Sequence, residues 1–569
     1  MIWGGVKGLL SFFCEVLLIL LIQLLFIPLH AQTIPAGFPI LEEISRRESL
    51  LGTYWKENSF ALRPVRIPDG FLEEVYSKKD TTQIKSSNNV KARLLPWLNT
   101  SIYNHQRPIG WGNSSLFNSA GFQNLNSPGI FFKLFFLEIQ LRPEFVYSQN
   151  QTYQGYGNGF SDNTNFARFR FWNFGDHPEN FGETYRRFAT LGQSYVSLNF
   201  GKIESGISSQ NIWWGPGQFT SLIFSNNARG INHLFLRTSE PVSIGIGHLE
   251  TEIIAGRAED SGLDPSQNPI LNQQFFWKFS GDWRYVTGIT LTFQPRFLKN
   301  FFVGLNRTFQ QYNRDVESTF TGRMPIFEAF QKEKFFDKGN SVSYDALAQD
   351  QQASVFFKFR SVSGKFEVYS EFGKHDHNFN WREFFLNPEH ARSFLMGFTK
   401  LISLPKQDEY LQLRGEIVHQ SESVNRYLRY PVLGVSNTSW HTHYQVRGFS
   451  NYGESMGAGI GVGSNAQILE ISKVRDFDKL GLLIQRIENH QDFYYRALGE
   501  ESIQSPWIDL TVGGIWNKQW NNLIVSTTGQ MILGKNYQWQ KVARSSQDFY
   551  SGTDKFFFSG QVHFLYLFR

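Results

Sequence analysis

Cysteine is nearly absent from this chain. Cys14 is the single cysteine among 569 residues, and it lies within a hydrophobic stretch close to the N-terminus. Such a chain can form no internal disulfide bond and offers no thiolate cluster to a metal ion. If the N-terminal segment is removed on export, no cysteine nucleophile is left either. The sequence therefore excludes disulfide-stapled scaffolds, zinc-thiolate domains and cysteine-dependent enzymes.

Long hydrophobic runs are missing after residue 31. Hydrophobic residues make up 41% of the chain and the mean hydropathy is −0.32, whereas a membrane-spanning helix needs about 20 consecutive apolar residues. Charge of one sign is also scarce, because the net charge is only +5 and no basic cluster occurs. These absences exclude a helical membrane protein and give no reason to expect a nucleic-acid partner.

The first 31 residues have the three parts of a secretory signal peptide. Lys7 precedes an apolar run over residues 9–29, and Leu29-His30-Ala31 ends in a small residue. Glu15 interrupts the run, which argues against a stable membrane anchor. Cleavage after Ala31 would leave 54 basic and 49 acidic residues, 55 minus Lys7 and 50 minus Glu15, so the net charge stays +5. We therefore expect residues 1–31 to be a signal peptide and the protein to be exported.

Aromatic residues are abundant. They account for 16% of the chain, with 56 Phe, 22 Tyr and 15 Trp. Successive side chains of a strand point to opposite faces, and in the last segment one face carries Phe556, Phe558, Val562, Phe564, Tyr566 and Phe568. Such a C-terminal strand is typical of the closing strand of an outer-membrane β-barrel, although a half-buried strand of a soluble sandwich would look similar.

The same period of two recurs from residue 94 onward. Leu137, Ile139 and Leu141 alternate with Glu138 and Gln140, and comparable runs begin at residues 196, 287, 411 and 508. Apolar side chains facing lipid and polar side chains facing a lumen give this pattern. At roughly 25 residues per strand and connection, the segment predicts about 18 strands. The predicted fold class is all-β, a transmembrane antiparallel outer-membrane β-barrel over residues 94–569.

Residues 32–93 differ from the rest. Pro39 begins a helical pattern that stops at Gly52, and a second helix is predicted from Asp69 to Lys79. Residues 80–89 are polar and predict a linker. We expect residues 32–93 to form a small helical or mixed periplasmic region outside the barrel wall.

The first five strands are predicted near residues 95–107, 130–148, 165–173, 193–199 and 202–211. If the chain enters the wall from the periplasm, an odd number of strands delivers residue 212 to the outside of the cell. The segment that follows is therefore predicted to be an external loop.

Several stretches of the sequence resemble the capsule assembly Wzi family as it occurs in Bacteroidetes-type bacteria. They comprise residues 59–64, 94–97, 103–112, 121–123, 141–147, 150, 213–217 and 225–229, among them the motifs Gly110-Trp111-Gly112 and Trp213-Trp214-Gly215-Pro216-Gly217. The resemblance implies an 18-stranded outer-membrane barrel with a periplasmic helical part. It also implies non-catalytic attachment or assembly of surface polysaccharide, so the expected partners are capsular polysaccharide and outer-membrane lipid. The barrel is expected to be a monomer without cofactor or metal.

Residues 213–229 carry the groups that a polysaccharide site needs. Trp213 and Trp214 offer flat faces for sugar rings, Asn226 and Asn227 offer paired donors and acceptors, and Arg229 offers a cation for an acidic glycan. These five residues are the predicted polysaccharide-binding residues. The alternative is structural, with the Trp pair in an interfacial aromatic belt and the Asn pair capping a turn.

Signals for other chemistry are weaker. Gly453-Glu454-Ser455-Met456-Gly457 fits the G-x-S-x-G pattern, but a nucleophile elbow requires a strand-to-helix turn in an α/β sheet. His375-x-His377 and His441-x-His443 could each begin a metal site but lack a clear third ligand. Two alternatives to polysaccharide binding remain open, a diffusion channel and a barrel-embedded hydrolase. Because no convincing catalytic triad is present, we expect that the protein is not an enzyme.

Overall fold

The structure is a computed structural model of the chain. It describes residues 33–67, 71, 90–157, 159–278, 281–327, 349–375, 386, 388–423, 438–498, 505–539 and 554–568. The predicted signal peptide, the linker and nearly all of the second predicted helix lie outside these residues. No described helix is both long and apolar enough to cross a membrane.

Eighteen antiparallel strands form a closed barrel, which confirms the predicted fold class. They are β1 Val90–Asn104, β2 Gly121–Leu134, β3 Leu137–Leu141 with Glu144–Ser148, β4 Arg186–Thr190 with Tyr195–Phe200, β5 Ile203–Ser208, β6 Asn232–Thr238 with Val242–Ser243, β7 Gly247–Ala258, β8 Arg284–Pro295, β9 Phe301–Tyr312, β10 Asp350–Ser361, β11 Phe366–His375, β12 Arg392–Ser403, β13 Tyr410–His419, β14 Asn465–Arg475, β15 Asp478–Glu488, β16 Ile508–Trp520, β17 Leu523–Lys535 and β18 Lys555–Tyr566. Each strand pairs with its sequence neighbours, and β1 pairs with β18 from Trp97↔Tyr566 to Asn104↔Ser559 to close the barrel.

The two ends of the barrel differ in their connections. At one end the strands are joined by short turns, such as residues 135–136, 476–477 and 521–522. At the other end they are joined by long loops, such as residues 149–185, 209–231 and 420–464. Outer-membrane barrels have short periplasmic turns and longer extracellular loops. We therefore take the long-loop end as extracellular.

The alternation predicted from the sequence is confirmed in the wall. Leu141 and Phe145 are 45% and 49% exposed on the outer face, while Glu138 and Gln140 are fully buried inside. The inner face is thus packed against protein over much of its area.

Within the described residues, five α-helices precede the strands or lie between them: α1 Pro39–Leu51, α2 Asp162–Gly175, α3 Pro269–Phe275, α4 Phe320–Arg323 and α5 Gln491–Ala497. Helix α1 has the predicted bounds, with Pro at its start and Gly52 in the left-handed conformation (φ 76°) at its end. Its apolar face packs against the inside of the wall, because Ile40 and Ile44 share a buried cluster with Leu565 and Leu567. This explains why these two leucines interrupt the polar face of the closing strand.

The predicted strand at residues 165–173 is wrong, since this segment is helix α2. Alternating Phe and Arg side chains imitate a strand, but Ser161 caps the helix by accepting from the backbone N–H of Thr164, and Asp176 ends it in the left-handed conformation. A second error compensates for the first, because the predicted strand at 130–148 is the hairpin of β2 and β3. The strand count up to residue 211 is therefore unchanged.

Candidate functional site

The barrel lumen is occupied from both ends. Residues 33–67, here called the plug, enter the lumen from the short-turn end. The loop 209–231 folds into the lumen from the long-loop end. The two meet in a short antiparallel pairing of Leu62–Arg63 with Trp213–Trp214. The predicted loop therefore starts on the extracellular side, but it extends into the lumen.

Two arginines of the plug bind the turn Gly215-Pro216-Gly217. Arg46 donates to the carbonyl oxygens of Pro216 and Gly217 at 3.0 and 3.1 Å, and Arg63 donates to those of Gly215 and Gly217 at 3.0 and 2.8 Å. Gly215 has a φ of 118°, a backbone conformation that residues other than glycine rarely adopt. The glycines thus expose a set of carbonyl oxygens to which the plug is hydrogen-bonded.

Ion pairs fix the plug to the wall. Glu43 contacts Lys479 and Arg414, each at 2.7 Å, and Arg46 contacts Glu367 at 2.7 Å. Burial alone would raise the pKa of the Glu43 carboxyl, but the neighbouring cations outweigh burial and hold its pKa well below the ordinary value. The carboxylate is therefore charged at neutral pH and part of a compensated network.

Trp213 and Trp214 are enclosed within the lumen. Trp213 is 1% exposed with the guanidinium of Arg63 4.0 Å from its ring centroid. Trp214 is fully buried, donates from Nε1 to Glu252 at 2.8 Å and packs against Gly288 of the wall. Neither indole presents a free ring face in this structure, since the loop folds inward and the plug covers it.

The two asparagines of the predicted site bind one short stretch of the loop between β1 and β2. Asn226 donates to the carbonyl of Gly112 at 2.6 Å, and the side-chain oxygen of Asn227 accepts from the N–H of Gly112 at 3.1 Å. Asn227 also donates to the carbonyl of Ser455 at 2.9 Å. The pair therefore positions Trp111, the neighbour of Gly112.

Arg229 lies apart from the other predicted residues. Its guanidinium is stacked between the rings of Phe188 and Tyr452, at 4.5 and 4.3 Å from their centroids. Burial lowers its pKa from the ordinary value. Arg229 is partly exposed, so it can still present a positive charge beside the long loops.

A cavity of about 470 Å³ remains in the lumen. It is bounded by the plug, by the loop tip around Trp111, by Asn226 and Asn227, and by the inner face of β15–β18. Trp111 is half-buried, donates from Nε1 to the carbonyl of Phe219 at 3.0 Å, and packs against a small apolar cluster on the wall. Gly110 and Gly112 flank it with φ values of 90° and 77°. The motif Gly110-Trp111-Gly112 is part of the family resemblance, but Trp111 is not among the five predicted polysaccharide-binding residues.

The wall of the cavity is lined by uncharged polar side chains. They project from β15, β16 and β17 and comprise Gln485, Thr511, Asn517, Ser526, Thr528 and Gln530. We call these six residues the polar strip. The Gln residues, Asn517 and Thr528 are partly exposed to the cavity. Such side chains match the hydroxyl groups of a sugar, because amides and hydroxyls both donate and accept hydrogen bonds.

Several titratable side chains line the cavity on the side of the long loops. Glu454 accepts from the N–H of Asn118 at 2.9 Å, and burial raises the pKa of its carboxyl to about 8. Burial lowers the pKa of His177 to about 4 and that of His441 well below its ordinary value. Ser455 lies 3.4 Å from His441 Nδ1, but the Glu454–Ser455 strand is no strand-to-helix turn. The elbow geometry that the motif requires is thus absent here.

One histidine of each motif lies close to the other in the structure. His375 contacts Asp350 at 2.5 Å, and its ring centroid lies 6.0 Å from that of His443, while His377 lies outside the described residues. Among the residues that the structure describes, no group of three or more His, Cys, Asp or Glu side chains is arranged to hold a metal ion.

Comparison with known proteins identifies relatives. The family model described as capsule assembly protein Wzi matches residues 133–492, which is more than half of the chain. Among solved structures, the chain is similar to Wzi from Escherichia coli, described as an outer membrane protein involved in group 1 capsule assembly and a carbohydrate-binding β-barrel. The similarity has a TM-score of 0.55 at 12% identity and covers 94% of this chain and 100% of that one.

More distant likeness is found to OccK8 (OprE) from Pseudomonas aeruginosa, with a TM-score of 0.38 at 9% identity over 84% of this chain and 97% of that one. No curated protein matches the sequence.

Proposed function

The chain belongs to the capsule assembly protein Wzi family and is an outer-membrane β-barrel; from this premise we propose that it binds surface polysaccharide and helps to assemble it at the cell surface without catalysing a reaction. The observation that carries the proposal is the arrangement of the lumen. A plug and an inward-folded loop occupy much of it, and the remaining cavity is lined by indoles, amides and hydroxyls together with charged side chains such as Arg168 and Asp509.

The predicted site residues contribute in three ways under this proposal. Trp213 and Trp214 hold the loop against the plug and the wall, so that the cavity keeps its shape. Asn226 and Asn227 position Trp111 through Gly112. Arg229, held between Phe188 and Tyr452, is the residue among the five that is placed to contact an acidic group of a glycan.

A diffusion channel is the competing function, and the occupied lumen disfavours it. A water-filled pore needs a polar passage along the barrel axis. Here the apolar cluster around Trp214 includes Ile223, Leu395 and Trp440, which come from the loops and the wall. This part of the lumen is packed like the core of a soluble domain.

Two measurements on the purified barrel separate these functions. Polysaccharide extracted from cells that make the protein should bind to it, and planar bilayers that contain it should show no steady conductance. Stable open-channel currents together with no polysaccharide binding would contradict the proposal. Release of sugar or acyl groups from the bound polysaccharide would show an enzymatic activity and would also contradict it.

A further inference from the structure

Several amides on the opposite wall are hydrogen-bonded, whereas, among the described residues, those of the polar strip are not. On the opposite wall Asn306 donates to Ser354 at 2.9 Å, Gln310 to Asp350 at 2.7 Å and Gln352 to the carbonyl of Trp440 at 2.9 Å. The six side chains of the strip make no hydrogen bond to any residue that the structure describes. Buried and half-buried polar groups are normally paired. The strip therefore has donors and acceptors available for a ligand.

The strip is continuous across three strands. Gln485 is paired with Thr511, and Asn517 with Ser526, in the registers of β15–β16 and β16–β17. Gly513 lies between them opposite Gln530. Along β16, Thr511 and Asn517 are six residues apart, which at the usual rise per residue is about 20 Å. This length suits an extended oligomer better than a single small molecule.

An aromatic face lies beside the strip. Trp111 packs against the apolar cluster of Ile468, Leu483 and Ile515. Leu483 precedes Gln485 by two residues, and Ile515 precedes Asn517 by two, so the indole and the strip share one inner surface. Sugar rings combine an apolar face with a rim of hydroxyl groups. An indole next to unpaired amides and hydroxyls matches both parts.

Charge is compensated around the strip. On the same strands Lys479 contacts Glu43 and Glu470, each at 2.7 Å, and Asp509 contacts Arg107 at 2.7 Å. No residue of the strip itself carries a charge. Within the strip a carboxylate-bearing sugar would meet no cation, whereas an uncharged sugar would meet hydrogen-bonding partners.

From these observations we infer that the polar strip and Trp111 form a binding site inside the barrel for an uncharged stretch of a glycan chain. The inference rests on the proposed function and adds the position and the chemical class of the bound segment. The polysaccharide enters from the long-loop end and lies along the inner face of β15–β17. Arg229 lies outside this site.

Binding variants test the residues of the site. The probe is the polysaccharide extracted from cells that make the protein, and its affinity for the purified barrel is measured by titration. Trp111→Ala should weaken binding by up to about 10-fold. Thr528→Val keeps the side-chain volume and Gln530→Ala removes an amide, and each should weaken binding by about 2- to 10-fold. Gln274→Ala, which removes an exposed amide at the same end of the barrel, is the matched control and should have no effect.

Salt tests the chemical class. Hydrogen bonding to uncharged sugars predicts an affinity that changes less than about 2-fold between about 0.05 M and about 0.5 M NaCl, since such contacts are not screened. A fall of 10-fold or more would show that ion pairs carry binding and would overturn the uncharged class. Wild-type affinity in Trp111→Ala, Thr528→Val and Gln530→Ala would overturn the site while leaving the proposed function intact. Absence of binding by the wild-type barrel would contradict both.

Position is tested by thiol labelling, because the mature chain is expected to contain no cysteine. Gln530→Cys should react with a small uncharged thiol reagent, and the extracted polysaccharide should slow this reaction. The same polysaccharide should leave the labelling of Ile270→Cys unchanged, as Ile270 is 73% exposed on helix α3 outside the cavity. Equal protection of both cysteines, or of neither, would place the polysaccharide elsewhere.

Discussion

At the scale of single residues, the most distinctive contacts are those of tryptophans with wall glycines. A Cβ atom added to Gly288 would lie 2.7 Å from the ring of Trp214, and one added to Gly373 would lie 2.6 Å from the ring of Trp440. Both indoles are buried. The loops inside the barrel are therefore held by close packing of large rings on gaps in the wall, in addition to hydrogen bonds.

Trp214→Ala should therefore destabilise the barrel. Truncating a fully buried aromatic side chain costs about 3–5 kcal/mol, and it also removes the indole N–H that donates to buried Glu252. The expected result is a lower temperature for the shift in electrophoretic mobility that unfolding causes. Trp277→Ala, at a 50% exposed indole in a long loop, is the control and should change this temperature little. Equal effects of both substitutions would contradict the structural role of Trp214.

Glu454 predicts a pH dependence of the loops around the cavity. Its pKa is raised to about 8 in the folded protein, so its contribution to stability is fully present below the unfolded pKa of about 4.5 and is lost as the pH rises through about 8. Protection against hydrogen exchange in residues 440–460, corrected for the intrinsic base-catalysed exchange rate, should therefore be lower at pH 9 than at pH 6. Glu454→Gln stays uncharged and should abolish this difference; if the pH effect persists in the variant, another group is responsible.

At the scale of elements, the plug is the part whose placement decides whether the lumen is open. Helix α1 contributes an apolar face to the cluster with Leu565 and a charged face to the network of Glu43 and Arg46. Removing one partner from a buried ion pair is costly because the other charge is left uncompensated. The network therefore fixes one orientation of the helix.

Glu43→Gln should loosen the plug. It removes one of the two carboxylates that compensate Lys479 and Arg414, the other being Glu470, so the cost should be below the about 3–5 kcal/mol of a fully uncompensated buried charge. The expected readout is faster limited proteolysis within residues 33–67 in the purified protein, while the barrel stays intact. Glu57→Gln is the control, because Glu57 is exposed. Unchanged proteolysis of the Glu43 variant would show that apolar packing alone holds the plug.

The closing strand gives a further prediction. Phe568, 46% exposed on the outer face, follows β18, and Phe568→Asp near the membrane interface should cost about 0–1 kcal/mol in the folded barrel. A large loss of protein from the outer membrane would therefore reflect failed recognition during assembly. Quantifying the variant in isolated outer membranes measures this, and wild-type levels would argue against a signal role for this residue.

The sequence allowed the wall and helix α1 to be predicted, but not the interior. Alternation identifies which side chains face outward, because lipid imposes one requirement on all of them. The inner face obeys no such rule, since Leu565 and Leu567 face the plug and Gln530 faces the cavity. The predicted role of Trp213 and Trp214 assumed an exposed loop, and nothing in their local sequence indicates that the loop folds inward. Trp111 lies in a motif that carries the family resemblance, and the glycine on each side of it is the sequence signal that could have identified it.

At the scale of the whole molecule, the lumen of the barrel is occupied by the plug at the short-turn end and by the inward-folded loop at the long-loop end. We expect the short-turn end, from which the plug enters the lumen, to face the periplasm. A cysteine at Lys56, an exposed residue of the plug segment, should resist a membrane-impermeant thiol reagent on intact cells. A cysteine at Ile270 should react under the same conditions. The opposite labelling pattern would reverse the orientation and place the cavity mouth inside the cell.

The central claim is that this barrel retains polysaccharide at the cell surface. The most direct measurement is the amount of cell-bound and shed polysaccharide in cells that lack the gene and in cells complemented with the wild-type protein or with Trp111→Ala. Because a polymer engages many weak sites at once, a small loss per contact can produce a large fall in retention. We predict that polysaccharide moves from the cells to the medium on deletion, that the wild-type protein reverses this, and that correctly inserted Trp111→Ala reverses it incompletely. An unchanged ratio of cell-bound to shed polysaccharide on deletion would contradict the account.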